Sequence, residues 1–374
     1  MTGLERRTVR AALCSLLLAA AASSQESAPL VTFLKADAGG ASDAYLAIQL
    51  GDGRIQFVDR LSRDPLNLRS RLLEESLFTV VGRPAGQPAR PGEIFFAPIA
   101  GSDGSVRAAL YVETPIGYAA YFEDPARGPQ LGEIRTLTGR PFADVAAPDA
   151  NFALLVRRDS SGRTEGAYLY HATTGKTLYL DGLRRLEVSP QVRPVAGLPA
   201  LAGPVAAVEL RAGSEGTFSY MVLDPASGEI HFFDVDAGIA TQVRARKGPL
   251  SLFDVFAREG SHTSRRRFLP VAIDESRSRT LHVLIADAVT GELAVYANAV
   301  AAEVDPALAK AASLGRWFRG EAGERELAAV PRVNSSGTTL GVWLLDSQTR
   351  GVVYVDRPGQ PQEMTVSPVT VERR

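Results

Sequence analysis

Asp224-Pro-Ala-Ser-Gly228-Glu-Ile-His-Phe232-Phe-Asp234 and Asp346-Ser-Gln-Thr-Arg350-Gly-Val-Val-Tyr354-Val-Asp356 are two copies of one pattern. A polar residue opens a short loop and a turn residue follows four positions later. An aromatic stands four positions beyond the turn residue, and an acid two beyond that. Six copies occur between residues 49 and 356, with turn residues Gly53, Gly117, Gly175, Gly228, Gly291 and Arg350, at intervals of 64, 58, 53, 63 and 59. The openers are Gln49, Glu113, His171, Asp224, Asp287 and Asp346. Five copies keep the aromatic (Phe57, Tyr121, Tyr179, Phe232, Tyr354) and the acid (Asp59, Glu123, Asp181, Asp234, Asp356); the fifth copy has Val295 and Ala297 instead.

This is the chemistry of a β-hairpin. A polar loop ending in Gly fits a type I turn closed by a left-handed residue, where Gly has no steric cost. Asp at the loop start can accept backbone N–H groups further on. Arg350 in that place is strained by about 1–2 kcal/mol. Because Gly351 follows it, the sequence suggests a turn shifted by one residue in that copy.

The segment before each loop is almost wholly apolar, as in Phe218–Leu223, Leu281–Ile285 and Leu340–Leu345, which predicts a strand covered on both faces. The segment after the loop starts polar and alternates. A further strand precedes each hairpin, at Val31–Lys35, Ile94–Ile99, Phe152–Val156, Val205–Leu210, Phe268–Ile273 and Leu327–Val333. A fourth follows some of them, at Arg184–Ser189, Thr241–Ala245 and Gln362–Ser367. Four strands in about 60 residues make a propeller blade, and six such blades use about 350 residues. The expected fold is therefore all-β: a six-bladed propeller-like array of four-stranded antiparallel blades over residues 30–374, with a pair of β-sandwiches as the alternative.

The hairpin resembles the repeats of quinoprotein-like (PQQ-like) propellers, whose inner hairpin often reads Asp-x-x-Thr-Gly. The matching residues are Asp224–Gly228, Asp287–Gly291 and, more loosely, His171–Gly175. Those blades usually carry Trp shortly after the Gly, and none of the six copies does. The resemblance thus implies the repeat and not a quinone site. The Asp boxes of sialidases and the Trp-Asp pairs of WD repeats are absent from the sequence.

Residues 1–24 read as a signal peptide: Arg6, Arg7 and Arg10 lead, and Ala11–Ala22 is apolar. Twelve apolar residues fall short of a bilayer, so no membrane span is expected. Arg6-Arg7 is compatible with the twin-arginine route. The chain is then secreted or periplasmic. Its single cysteine, Cys14, leaves with the leader, which excludes disulfides and thiolate metal sites. Lys plus Arg total 41 against 42 Asp plus Glu, which gives no general attraction to nucleic acid.

Two short helices are expected as insertions, from Asp64-Pro65 to about Glu75 and from Asp305-Pro306 to Gly315, on Asp N-caps followed by Pro. Gly82–Gly92 and Lys247–Arg267 read as surface loops. Arg316-Trp317-Phe318-Arg319 suits a partner surface, because Trp and Arg dominate binding hot spots. The recurring acids either form an oxygen-rich ring able to hold a central calcium or simply cap turns. No cofactor is otherwise expected. His171, His231, His262 and His282 lack metal-ligand spacing, and no Gly-x-Ser-x-Gly occurs. Arg244-Ala-Arg246-Lys247 and Arg265-Arg266-Arg267 could meet an acidic polymer or remain solvated. The expected function is a non-enzymatic binding or scaffold module for a protein or glycan. The alternative is a propeller hydrolase or lyase with polar, metal-containing chemistry in a central tunnel.

Overall fold

The computed structural model describes residues 30–373, apart from 60, 62, 85, 124–133, 138–139, 184–189, 259–266, 302–305, 318–325 and 348. The leader, Arg265, Arg266, His262, Phe318, Arg319 and the Arg184–Ser189 strand lie outside the described residues. Blade 1 holds β1 (Leu30–Ala36), β2 (Ser42–Gln49), β3 (Ile55–Asp59) and β4 (Asn67–Leu72); blade 2 holds β5 (Ile94–Ala100), β6 (Val106–Glu113), β7 (Tyr118–Glu123) and β8 (Ile134–Thr136). Blade 3 holds β9 (Phe152–Arg158), β10 (Thr164–His171), β11 (Thr177–Asp181) and β12 (Gln191–Val195). Blade 4 holds β13 (Ala206–Arg211), β14 (Thr217–Leu223), β15 (Glu229–Val235) and β16 (Val243–Ser251). Blade 5 holds β17 (Phe268–Ser276), β18 (Arg279–Asp287), β19 (Glu292–Ala297) and β20 (Ala307–Ser313). Blade 6 holds β21 (Leu327–Val333), β22 (Thr339–Asp346), β23 (Val352–Asp356) and β24 (Thr365–Pro368). The last strand, β25 (Thr370–Arg373), crosses to blade 1 and pairs parallel with β4, so the chain's end closes the ring on its beginning. The first strand of each blade neighbours that of the next, and β21 neighbours β1.

The apolar second strands explain the packing. Residues on their two faces enter different interblade cores: Leu169 packs between blades 2 and 3, whereas Tyr168 and Tyr170 pack between blades 3 and 4. Six such cores fill the six joints, so no blade has a face to spare for water. The five turn glycines hold φ between +64° and +74°. Arg350 occupies the same place at +55°, and Asp346 N–H donates to Gly351 O at 3.0 Å as Asp224 N–H does to Glu229 O. The turn is therefore not shifted, and the strain stays on Arg350. The openers act as expected: Asp224 accepts Ala226 N–H and Asp287 accepts Val289 N–H, each at 2.9 Å.

Neither inserted helix forms. The stretch after Asp64 becomes the fourth strand β4, and the stretch after Pro306 becomes β20. Asp64 does accept Leu66 N–H at 2.9 Å and Asn67 Nδ2–H at 2.6 Å, but one turn of capping cannot outweigh pairing on both edges of β4. The α-helix described is a five-residue one, α1 (Leu77–Val81), capped by Ser76 and by Gly82 at φ 72°.

Candidate functional site

The six first strands wall a central tunnel of about 480 Å3. Its mouth opens on the face that carries the six turns, because each first strand starts beside the end of its second strand, as Leu30 does beside Gln49 and Leu327 beside Asp346. Among the described residues lining it, the side chains are apolar except Thr32, whose hydroxyl is spent on Ala329 O at 3.1 Å. Phe96, Leu154, Pro270 and Ala329 are typical of the wall. This turn-side part of the wall offers no acid, base or metal ligand to a substrate; the rear part, at Arg158, Glu209, Arg211 and Asp274, is charged.

Arg277 closes the opposite mouth. It sits in the tight β17–β18 turn and donates from its guanidinium to Gly39 O at 2.7 Å, to Ser102 O at 3.4 Å and to Ser335 O. Its own carbonyl accepts from Arg211. One side chain of blade 5 thereby ties together blades 1, 2 and 6, with blade 4 on its backbone. Gly104 and Gly337 stand where any Cβ would collide with this arginine. Around the same mouth, Arg158 pairs with Glu209 and Arg211 with Asp274, both across blade joints. Buried pairs of this kind add little net stability, because the cost of desolvating both charges offsets their attraction.

The sequence candidates are distributed rather than gathered. Trp317 is 37 % exposed on the 3-10 turn Gly315–Trp317, beside the turn face, since Leu314 N–H donates to Gly291 O at 2.7 Å. Arg316 shares that turn. Ile116, 40 % exposed, stands on the turn of blade 2. The recurring acids do not form a central ring: each stands at or next to the end of a third strand, away from the tunnel wall. Asp234 accepts from Arg246 at 2.8 Å and Ser219 at 2.7 Å, and Asp181 pairs with Arg193 at 3.4 Å. Among the described residues no group of three or more His, Cys, Asp or Glu side chains could hold a metal ion.

The described members Arg246, Lys247 and Arg267 of the two basic clusters are paired with acids. Arg246 also lies over the Phe232 ring at 4.3 Å, and Lys247 pairs with Glu229 at 2.5 Å on β16, which extends into the segment read as a loop. Arg267 is buried against Asp287 at 3.2 Å, both under 2 % exposed. Among the described histidines the exception is His171. Its Nε2 meets both Asp149 oxygens at 2.9 Å, its Nδ1 meets Thr174 Oγ1 at 2.7 Å, and its ring stacks on Phe152 at 4.6 Å. Asp149 lies 22 residues upstream, in the crossover between blades, so no linear motif announces it. Burial pushes the Asp149 carboxyl up, but the bonds from His171 and Asn151 N–H outweigh it and hold the group below the usual carboxylate value.

A closed ring of four-stranded antiparallel sheets, joined by interblade cores around a tunnel, defines a six-bladed β-propeller. No family model matches the chain, and no curated protein matches it in sequence. Among solved structures, an Agrocybe aegerita lectin described as recognising non-reducing terminal N-acetylglucosamine is similar with a TM-score of 0.53 at 7% identity, over 92% of this chain and 80% of that one. The periplasmic gluconolactonase of Pseudomonas aeruginosa gives 0.48 at 14% identity, over 91% and 85%. The β-propeller domain of Cps50 (Swd1) from Myceliophteria thermophila gives 0.42 at 10% identity, over 91% and 85%. At such identities the likeness shows the fold alone.

Proposed function

We propose that this chain is an exported, non-enzymatic binding module whose turn face recognises a protein or a glycan outside the cytoplasm. The observation that carries the reading is the apolar wall of the tunnel, open towards the turns and closed behind by Arg277. A propeller enzyme converges polar groups on that axis; here the part open to the turns offers only Thr32 among the described residues, and the charged groups at the rear mouth pair with one another across blade joints. What the turn face presents instead is apolar surface, with Trp317 and Ile116 among the exposed large side chains. An exposed aromatic and an exposed aliphatic side chain on that face favour adhesion to a partner. A ring of this fold serves glycan recognition in the Agrocybe aegerita lectin, so glycans ending in N-acetylglucosamine belong in the first panel. The kinship of the repeat with quinoprotein-like blades is, on this reading, one of turn chemistry.

The Asp149–His171–Thr174 row is the observation that favours a hydrolase instead. Thr174 Oγ1 also accepts Lys176 N–H at 3.3 Å, which fits a hydroxyl closing its own turn. The test is a glycan array and a panel of ester and lactone substrates, run on wild type, Trp317→Ala and His171→Ala. Saturable glycan or protein binding that drops with Trp317→Ala, without turnover, supports the module. Turnover abolished by His171→Ala would establish the enzyme.

A further inference from the structure

Two departures from the repeat that make the local charge more positive meet in one cleft. At the seam between blades 6 and 1, a cleft of about 410 Å3 is lined by four arginines: Arg54, Arg71, Arg350 and Arg373. Arg350 stands where every other copy has Gly, and it keeps φ +55° to do so. Non-glycine residues held in the left-handed region concentrate at functional sites, where the surrounding structure over-determines them. Gln49, also in the lining, replaces the acid that opens four of the other five copies. One change adds a positive charge and the other removes a negative one. The last arginine comes from β25, so the site exists only once the ring has closed.

Two carboxylates temper this charge. Asp346 lines the cleft and accepts Thr349 N–H at 3.3 Å, and Asp52 pairs with Arg54 at 2.5 Å. The arginines remain in excess. Arg71 is steadied over the Phe57 ring at 5.2 Å. Gln56 and Ser70 supply neutral polar groups, and Val352 and Val371 supply apolar surface. We propose that this cleft binds the carboxylate-bearing sugar unit of an acidic glycan. A guanidinium grips a carboxylate with two parallel hydrogen bonds. The amides and hydroxyl suit sugar hydroxyls, and the valines suit the C–H face of the ring. The volume lies within the range of about 300–1,000 Å3 that small-ligand sites occupy. The assignment rests on the binding reading above but uses different residues from the Trp317 surface.

The experiment is calorimetric titration of the chain with glucuronic and galacturonic acids, with glucose and galactose as neutral counterparts and inorganic phosphate as a bare anion. The expected result is saturable uronate binding at least tenfold tighter than either control, weakening as salt rises. Arg350→Gly restores the turn residue of the other copies, so it should melt at the same temperature or higher while uronate affinity falls at least tenfold. Arg373→Gln leaves the backbone untouched and should weaken binding as well. Trp317→Ala should leave uronate binding intact, which separates failure of the cleft from failure of the turn-face surface. Uronate bound no tighter than glucose, or unaffected by both arginine substitutions, overturns the proposal. Phosphate bound as tightly as uronate overturns the sugar assignment.

Discussion

Ser42 and Val333 stand 291 residues apart in the chain and 2.8 Å apart in the ring, where the Ser42 hydroxyl accepts the Val333 N–H. The contact repeats. Thr164 accepts Ala100 N–H at 3.0 Å, Thr217 accepts Arg158 N–H at 2.7 Å, Thr280 accepts Arg211 N–H at 3.2 Å and Thr339 accepts Asp274 N–H at 3.0 Å. Each hydroxyl lies at the start of a second strand and reaches the end of the preceding blade's first strand. Five of the six blade joints are latched this way. At the joint between blades 1 and 2 the equivalent residue is Val106.

Removing a latch should therefore cost more than its size suggests. Thr280→Val keeps the shape but strands the Arg211 N–H and a bond to Asp274, so about 1–3 kcal/mol should be lost in urea unfolding. Val106→Thr supplies the missing latch towards Ala36 and should be neutral or stabilising by up to about 1 kcal/mol. Thr280→Val without effect would mean that the latches are incidental.

Arg277 is expected to hold the rear mouth shut. Arg277→Ala removes bonds to three other blades and should lower stability by about 1–3 kcal/mol. Hydrogen exchange should quicken in the loops 37–41, 101–105 and 334–338 together. Faster exchange confined to 276–279 would show a local turn contact and no plug.

Acidification should loosen the ring through two histidines. Burial lowers the His282 and His231 values below the ordinary imidazole range; for His231, Glu229 and Asp224 pull the other way without prevailing. His282 Nδ1 accepts Asn298 N–H at 3.2 Å, which requires the unprotonated ring. The unfolded chain takes up these protons near pH 6.5, the folded chain only lower. Stability is thus complete above about pH 6.5 and falls as pH drops below it. Urea midpoints at pH 7.5, 6 and 5 should decline, and His282→Gln should flatten the decline. A midpoint that rises on acidification contradicts the assignment.

The six hairpins, the first strands and the polar loop chemistry were all legible, because they follow from two-residue periodicity and glycine's access to positive φ. The β4 and β20 segments were not: their apolar spacing and Asp-Pro starts suit a helix locally, and only pairing within a blade decides otherwise. The latch was present in the sequence as a hydroxyl eleven residues before five of the six turn residues, and it has meaning only once neighbouring blades are placed. A second coupling was equally visible. Gly166 and Gly341 lie under the Tyr179 and Tyr354 hydroxyls, where a Cβ would clash, and where Val295 replaces the aromatic the small residue becomes His282. Asp149 and His171, by contrast, come together only through a crossover of irregular structure.

The measurement that bears most directly on the binding account is a face-blocking experiment. With residues 1–24, and so Cys14, removed, single cysteines can be placed at Ile116 on the turn face or at Ile239 on the opposite face, both exposed, and each coupled to a bulky polyethylene glycol maleimide. If the turn face is where this protein works, coupling at 116 abolishes binding to the partner the array returns and coupling at 239 leaves it unchanged. Binding lost only on coupling at 239 would contradict the account.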